Sequence, residues 1–383
     1  MPASAIIVMD HRTSGAQRLV FVDGLRGIAA LVVAVGHIIG MAPPDHPSFT
    51  FRSANLEHKL IWPWLFGGPM VWLFIMLSGF SLYWSEESRI SSGKARTKLT
   101  DYVGRRAWRI LPTYYVALVI GCVVVLPLGS LLVKPSPSLS TYSPVTPTGV
   151  LSHIFLLHNL SASWVHQINP PLWSIAVEAQ LYVLFPVLLR MGLRWRPYLP
   201  AMAAVVLVGA VNEALSVTAF GLVIWFAAGV VLAHLARRWR LPHRILLTAG
   251  LVLLIVALYR GPYSSSRFSQ LLWIFTFSLF ISALSGIRDG GLNIATSRPA
   301  VWLGQRSYSL YALHFPIALL VWAAVGRTGL RHVPALMLTL ALGTPAALCA
   351  AHLCYRGVEL PSLERVRRVG VRRPEPLKAL GSD

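Results

Sequence analysis

The sequence predicts an all-α, polytopic membrane protein with about ten transmembrane helices. Of its 383 residues, 55% are hydrophobic and 13% are charged, about half the charged fraction of a soluble domain. The mean hydropathy is +0.61. Apolar runs of roughly the 20 residues needed to cross a bilayer recur along the whole chain. These three observations point to a multi-pass membrane protein rather than a soluble one.

Ten apolar runs are long enough, or nearly so, to form spanning helices. They are 20–41, 61–84, 109–133, 172–190, 198–212, 216–235, 245–259, 269–287, 301–325 and 333–355. An eleventh run, 148–160, has a length that suits a re-entrant or interfacial segment better than a span. We therefore predict ten spans and a folded-back segment within the long loop 134–171.

The distribution of basic residues sets the orientation. With ten spans, 25 of the 34 Lys and Arg residues fall on the side of the two termini, and seven fall on the opposite side. Cytoplasmic loops carry the excess of Lys and Arg, so both termini are predicted to be cytoplasmic. A span at 148–160 would invert every later loop and remove this bias.

This orientation predicts three parts of the chain. Residues 1–18 form a cytoplasmic N-terminal tail, 19–361 a transmembrane domain, and 362–383 a basic cytoplasmic tail. The longest outer loop, 134–171, is interpreted either as a lid or acceptor-binding surface, or as a passive solvated loop.

Charge and motifs exclude several classes of function. The formal net charge of +20 arises from basic residues in short links between apolar runs, which is typical of loops that face anionic lipid, so no nucleic-acid partner is expected. GxGxxG, P-loop and GxSxG motifs are absent from the sequence. His153 and His158 have no acidic partner nearby, so no metal site is predicted. No permanently bound cofactor is predicted either.

Two ionisable residues lie within the first predicted span. Arg26 and His37 are eleven positions apart, so both fall on one helix face, about 16 Å from each other along the axis. Arg26 lies near the inner end, where it either snorkels or pairs with Asp23, or points inward to an anionic ligand. His37 lies near the outer end. Because such residues are costly in a membrane, they usually have a function.

Glu178 is the only acidic residue well inside a predicted span. Counting from the helix ends places it at the same shallow depth below the outer surface as His37. A carboxylate beside an imidazole can fix its tautomer and raise its basicity, so we expect this pair to perform general acid–base chemistry. A structural hydrogen bond between two helices is the alternative.

A basic cluster lies at the cytoplasmic end of the third predicted span. Arg105, Arg106 and Arg109 place three guanidinium groups within about one and a half turns, which suits the recognition of phosphate. Anchoring to the inner leaflet explains the cluster equally well.

Six segments, in order, resemble signatures of the integral-membrane acyltransferase 3 family. They are FVDGLRGIAALVVAVGHI (21–38), FIMLSGFSL (74–82), RRAWRILPTYY (105–115), PLWSIAVEAQLYVLFPVL (171–188), SYSLYALHFPI (307–317) and YRGVELP (355–361). The similarity covers about residues 19–361. One departure is that Ala179 follows Glu178, where the family often has a second acid.

The resemblance implies an O-acyltransferase of the inner (cytoplasmic) membrane. Members of this family move an acyl group, usually acetyl, from acyl-CoA as donor substrate to a hydroxyl of a sugar-containing acceptor. The resemblance further implies His37 as the catalytic histidine, Arg26 as its essential partner and Glu178 as the required acid. Arg106 and Arg109 would lie beside the phosphates of CoA.

The sequence leaves the acceptor and the catalytic route open. The acceptor is either a surface polysaccharide or a sugar on a macrolide or similar secondary metabolite. An Ala-, Arg- and Val-rich composition, typical of a high-GC bacterial gene, slightly favours the metabolite. Both direct transfer and an acyl-histidine intermediate fit the residues. A non-enzymatic, proton-coupled transporter or flippase of a glycosylated substrate is the competing class, since a buried His–Glu pair would suit it.

Overall fold

The computed structural model describes eight stretches of the chain, and all regular structure in these stretches is helical. They are residues 19–41, 66–132, 145–195, 221–238, 242–260, 267–286, 294–330 and 332–369. The predicted all-α membrane fold is confirmed in this part of the chain.

Twelve α-helices are formed by the described residues. In chain order they are α1 (Val20–Met41), α2 (Gly67–Ser91), α3 (Leu99–Leu132), α4 (Pro147–Ile154), α5 (Leu172–Trp195), α6 (Leu222–Arg238), α7 (His243–Arg260), α8 (Arg267–Gly286), α9 (Arg298–Gln305), α10 (Ser307–Val325), α11 (His332–Cys354) and α12 (Leu360–Val369). A π-helical turn, Tyr355–Glu359, joins α11 to α12.

Seven segments of the described chain are long and apolar enough to cross a membrane. They are Val20–Met41, Gly67–Ser91, Leu99–Pro127, His243–Arg260, Phe268–Gly286, Ser307–Thr328 and Val333–Val366. The predicted span 301–325 instead comprises the short helix α9 and the spanning helix α10. The predicted span 198–212 lies outside the described residues, as do the whole predicted tail 1–18 and residues 370–383. The count of ten spans and the side of the termini therefore stay predictions.

Apolar side chains cover the outside of the helix assembly. On α7, for example, Leu251, Val252 and Ile255 are more than half exposed. An apolar surface of this kind is expected where helices contact lipid instead of water. The chain is therefore a multi-pass membrane protein.

Helix α1 packs so closely against α9 and the turn before it that the backbones of the two segments are in contact. A Cβ atom on Gly24 would overlap the carbonyl oxygen of Ala295, and one on Gly304 would overlap the carbonyl of Asp23. Small residues allow this close approach between membrane helices. The contact fixes the position of Arg26, two residues after Gly24.

Helices α2 and α6 cross in the same way. A Cβ on Gly79 would overlap the carbonyl oxygen of Phe226, and one on Gly229 would overlap that of Met76. The crossing therefore holds Ser78, which precedes Gly79, at a fixed place inside the helix assembly, where it is 1% exposed.

The run 148–160 is too short to span and folds back onto the helix assembly. Thr146 caps α4 by accepting a hydrogen bond from the backbone N–H of Gly149, and the 3-10 turn His158–Leu160 follows. The hydroxyl of Tyr114 in α3 donates to the carbonyl of His153 at 2.7 Å. The segment therefore has defined secondary structure and is hydrogen-bonded to α3.

A proline in α10 anchors the end of this segment. Pro316 has no N–H, so the carbonyl of Ala312, four residues earlier, loses its helical partner. The side-chain amide of Asn169 donates to that carbonyl at 2.9 Å. Asn169 is fully buried, which means that the chain enters α5 from inside the protein and not from its outer surface.

The close approach at Gly24 predicts a sharp difference between two substitutions in one helix. Gly24→Ala forces α1 away from Ala295 and should cost about 1–3 kcal/mol of stability, as overpacking does. Gly40→Ala, where a Cβ meets nothing within 4 Å, should be neutral or slightly stabilising. Thermal unfolding in detergent measures both, and equal melting temperatures would contradict the packing described.

The hydrogen bond from Asn169 to the carbonyl of Ala312 predicts that a second substitution can restore the stability lost by removing Asn169. Asn169→Leu leaves the buried carbonyl without a donor, which should cost about 1–3 kcal/mol and speed proteolysis within 145–171. Adding Pro316→Ala restores a helical N–H for that carbonyl and should recover part of the loss. If the double variant is no more stable than Asn169→Leu alone, the bond does not anchor the segment.

Candidate active site

A cavity lined by both polar and apolar side chains lies between α1, α2, α3, α5 and α10, with about 530 Å³ of empty space that is partly open to solvent. Apolar side chains from α2 and α5 form part of its wall. Its polar lining residues are Arg26, Arg109, Ser174, Glu178, Tyr182, Ser307, Tyr308 and Tyr311. A cavity with two guanidinium groups, one carboxylate and several hydroxyls suits a ligand that carries negative charge.

A chain of hydrogen bonds joins Arg26 to Glu178. Arg26 Nη2 donates to Ser78 Oγ at 3.2 Å, and Ser78 Oγ donates to Glu178 Oε1. Tyr182 Oη donates to the same carboxylate oxygen at 2.5 Å. These contacts link α1, α2 and α5, and they hold one carboxylate between an arginine network and a phenol.

A second proline holds Tyr182 in place. Pro186 cannot donate to the carbonyl of Tyr182, and the hydroxyl of Tyr102 in α3 donates to that carbonyl instead, at 3.0 Å. Both ends of Tyr182 are therefore fixed, the backbone by Tyr102 and the hydroxyl by Glu178.

The three arginines of α3 occupy different positions. Arg109 lines the cavity. The Arg106 guanidinium lies over the rings of Tyr102 and Tyr182, 5.5 and 5.3 Å from their centroids, and its buried Nε has no hydrogen-bond partner among the described residues. Arg105, predicted to bind the same ligand, lies near Arg106 but does not line the cavity.

Glu359 is a second buried acid beside Arg109. Ser309 Oγ donates to Glu359 Oε2 at 2.5 Å, and Arg109 interacts electrostatically with both Glu178 and Glu359. The expectation that Glu178 is the only acid well inside a span is wrong. The last span continues as one helix through the π-helical turn, so that it includes Glu359.

His37 does not pair with Glu178, and that prediction is wrong. His37 Nδ1 lies 2.9 Å from the carbonyl oxygen of Val33 and 3.2 Å from His314 Nε2. The depth count failed because the chain enters α5 from the interior at Asn169. Glu178 therefore lies deeper, at the level of Arg26, about 16 Å from the level of His37.

Helix α10 connects the cavity with His37. Tyr311 lines the cavity, and its hydroxyl is 2.7 Å from Ser174 Oγ. One turn further along α10, the ring of His314 lies 5.9 Å from that of Tyr311 and 5.0 Å from that of His37. Going from the cavity towards His37, the side chain of Tyr311 comes first and that of His314 second.

The residues that sequence reasoning missed all lie in the recognised segments. Ser78 belongs to FIMLSGFSL, His314 to SYSLYALHFPI, Glu359 to YRGVELP and Tyr182 to the Glu178 segment. For Ser78, Tyr182 and His314 the signal was a polar side chain inside a largely apolar run, the signal that identified Arg26 and His37.

The two histidines of the outer segment form a separate stack. The rings of His153 and His158 are parallel, with centroids 3.8 Å apart. Burial lowers the pKa of His153, and burial together with the neighbouring His153 lowers the pKa of His158 to about 3. Both rings are therefore neutral at physiological pH. Within the described stretches, no group of three or more metal-binding side chains occurs.

Comparison with known proteins agrees with the six recognised segments. Residues 19–356 match the acyltransferase 3 family, described as an acyltransferase domain. A curated relative, the acyltransferase MdmB of Streptomyces mycarofaciens, is 26% identical over 335 residues, which cover 78% of this chain and 79% of the relative. No solved structure matches the chain.

Proposed function

The chain belongs to the acyltransferase 3 family and is a membrane acyltransferase, and we propose that it moves an acyl group, foremost acetyl, from acyl-CoA to a hydroxyl of a sugar-containing acceptor. The acceptor is a surface polysaccharide or the sugar of a macrolide or related secondary metabolite. The proposed location is the inner (cytoplasmic) membrane, with the cavity facing the cytoplasm. No permanently bound cofactor or metal takes part.

The observation that carries this proposal is the placement of an arginine-lined cavity and a histidine along one helix. Arg26 and His37 both belong to α1, about three turns apart. Acyl-CoA has the same arrangement of chemistry, because its phosphates lie at one end and its thioester at the other end of a long pantetheine arm. A donor whose phosphates lie at the arginines would reach towards His37 with its acyl group.

The arginines suit the phosphate end of this donor. Guanidinium groups bind phosphate through paired N–H donors and keep their charge when buried. Arg109 faces the cavity, and the Nε of Arg106 is buried without a hydrogen-bond partner among the described residues. Before the phosphates bind, the carboxylates of Glu178 and Glu359 would offset the positive charge of the arginines. Arg26 would orient Glu178 through Ser78.

His37 would act as the general base. It would take the proton of the acceptor hydroxyl as the oxygen attacks the thioester carbonyl carbon. The tetrahedral intermediate would then collapse, the carbon–sulfur bond would break, and the imidazolium would return the proton to the CoA thiolate. Glu178 would act on the donor side through Arg26 and Tyr182 and would not hold the imidazole.

The outer segment is the proposed acceptor surface. Residues 145–171 are packed onto α3 through Tyr114 and onto α10 through Asn169. His166 in this segment is close enough to His37 for their charges to interact. An acceptor bound against this segment would present its hydroxyl to His37 from the side opposite the donor.

Loss of His37 should abolish transfer. In purified protein with labelled acetyl-CoA, His37→Ala should lower the rate of acyl transfer by about 10²–10⁴, the usual contribution of a general base. His243→Ala, at an exposed position of α7, is the matched control. An oligosaccharide and a glycosylated macrolide are supplied as alternative acceptors. Unchanged transfer by His37→Ala would remove the assignment, and label retained on His37 without acceptor would establish an acyl-histidine route.

The position of the arginines predicts which of them binds the donor. Arg109→Leu and Arg106→Leu should each raise the Kd for acetyl-CoA by roughly tenfold or more, because each removes a charge-assisted contact worth about 1.5–3 kcal/mol. Arg105 is one residue from Arg106 and four from Arg109 in α3, but it neither lines the cavity, as Arg109 does, nor has a buried N–H without a partner, as Arg106 does. Arg105→Leu should therefore change the Kd little. Isothermal titration calorimetry with acetyl-CoA in detergent tests this order. An equal loss of affinity in all three variants would indicate attraction by general surface charge instead of a specific binding site.

A further inference from the structure

His314 has no place in the reaction described so far, yet it is the side chain that contacts the His37 ring most directly. Its ring is fully buried, and its Nε2 lies 3.2 Å from His37 Nδ1. His37 itself is partly exposed. A substrate can therefore reach His37 but not His314, so any role of His314 in transfer must act through His37.

The backbone partners of the two rings determine where their protons lie. A carbonyl oxygen can only accept a hydrogen bond. His314 Nδ1 lies 3.1 Å from the carbonyl of Leu310, and His37 Nδ1 lies 2.9 Å from the carbonyl of Val33. Each Nδ1 must therefore carry a proton, and each ring is tied to the carbonyl one turn earlier in its own helix.

The contact between the rings completes the assignment. The single proton on His37 Nδ1 lies between two groups, the carbonyl of Val33 at 2.9 Å and His314 Nε2 at 3.2 Å, and is shared by them. A proton on His314 Nε2 would point at this N–H and be repelled by it. His314 Nε2 therefore presents its lone pair and accepts from His37. A neutral His37 with its proton on Nδ1 has its free lone pair on Nε2. This nitrogen is the one available to take a proton from an acceptor.

We propose that His314 is a positioning residue that holds His37 as the Nδ1–H tautomer, with Nε2 free as the base. This inference rests on the proposed function of His37. When His37 takes a proton, its bond to His314 gains a charged donor, and charge-assisted bonds are about twice as strong as neutral ones. His314 thus supports both the base and the imidazolium that it becomes. The edge of Phe315, at 87° to the His37 ring, limits rotation of that ring.

Two substitutions separate this role from simple packing. His314→Leu fills much of the space but provides no acceptor, whereas the side-chain oxygen of His314→Gln can accept from His37 Nδ1. With acetyl-CoA and acceptor, His314→Leu should lower kcat by roughly 10- to 100-fold and leave the KM for acetyl-CoA within about twofold, as expected when an orienting partner is lost. His314→Gln should recover most of kcat.

A spectroscopic measurement tests the tautomer without activity. Nitrogen-15 NMR of histidine-labelled protein in detergent, with the His37 signals identified by their loss in His37→Ala, should show a protonated Nδ1 and an unprotonated Nε2. In His314→Leu the two tautomers should mix.

The outcomes are distinct. A proton on Nε2 of His37 in the unaltered protein, full kcat in His314→Leu, or no advantage of Gln over Leu would each overturn the role of His314. Retained transfer by His37→Ala would instead overturn the proposed function, whatever the tautomer. If His314→Leu does not fold, the spectrum of the unaltered protein and the Gln variant still decide the question.

Discussion

The hydrogen bonds from Arg26 through Ser78 to Glu178 join three helices around one cation and one anion, both partly buried, and the cavity is arranged about them. Lipid supplies no partner for a charge, so each ionisable group inside the membrane must be satisfied by the protein. Here α1 supplies the cation, α5 the anion and α2 the hydroxyl between them. Tyr182 then donates to the same carboxylate. Moving any one of the three helices would break at least one of these hydrogen bonds.

Glycine and proline make this arrangement possible. Gly24 and Gly79 allow the backbones beside Arg26 and Ser78 to approach their neighbours closely. Pro186 leaves the carbonyl of Tyr182 without a helical donor, and the buried hydroxyl of Tyr102 in α3 donates a hydrogen bond to it. In a soluble helix these residues would mainly weaken the structure. In a membrane the freed carbonyl must be satisfied by a neighbour, so the break becomes a fixed contact between elements.

The fold and the chemistry-bearing residues were largely predictable, whereas the pairing of those residues was not. Hydropathy identified most spans, and a charged or polar side chain within an apolar run identified Arg26, His37 and Glu178. Glu359 escaped because its helix was predicted to end at residue 355, before the π-helical turn. The predicted pair of His37 and Glu178 failed because depth was counted from the end of a helix that begins inside the protein, at Asn169.

The sequence by itself determined the fold class, the family and the residues that bear the chemistry. All three follow from local patterns, because the cost of a charge in lipid can be read from a single apolar run. The tertiary structure decided which of these residues act together. Glu178 lies with Arg26 and Ser78, and His37 lies with His314, because the packing of α5 and α10 sets their depth. No pattern within one helix records its depth relative to another, so these partners emerge only when the helices are packed.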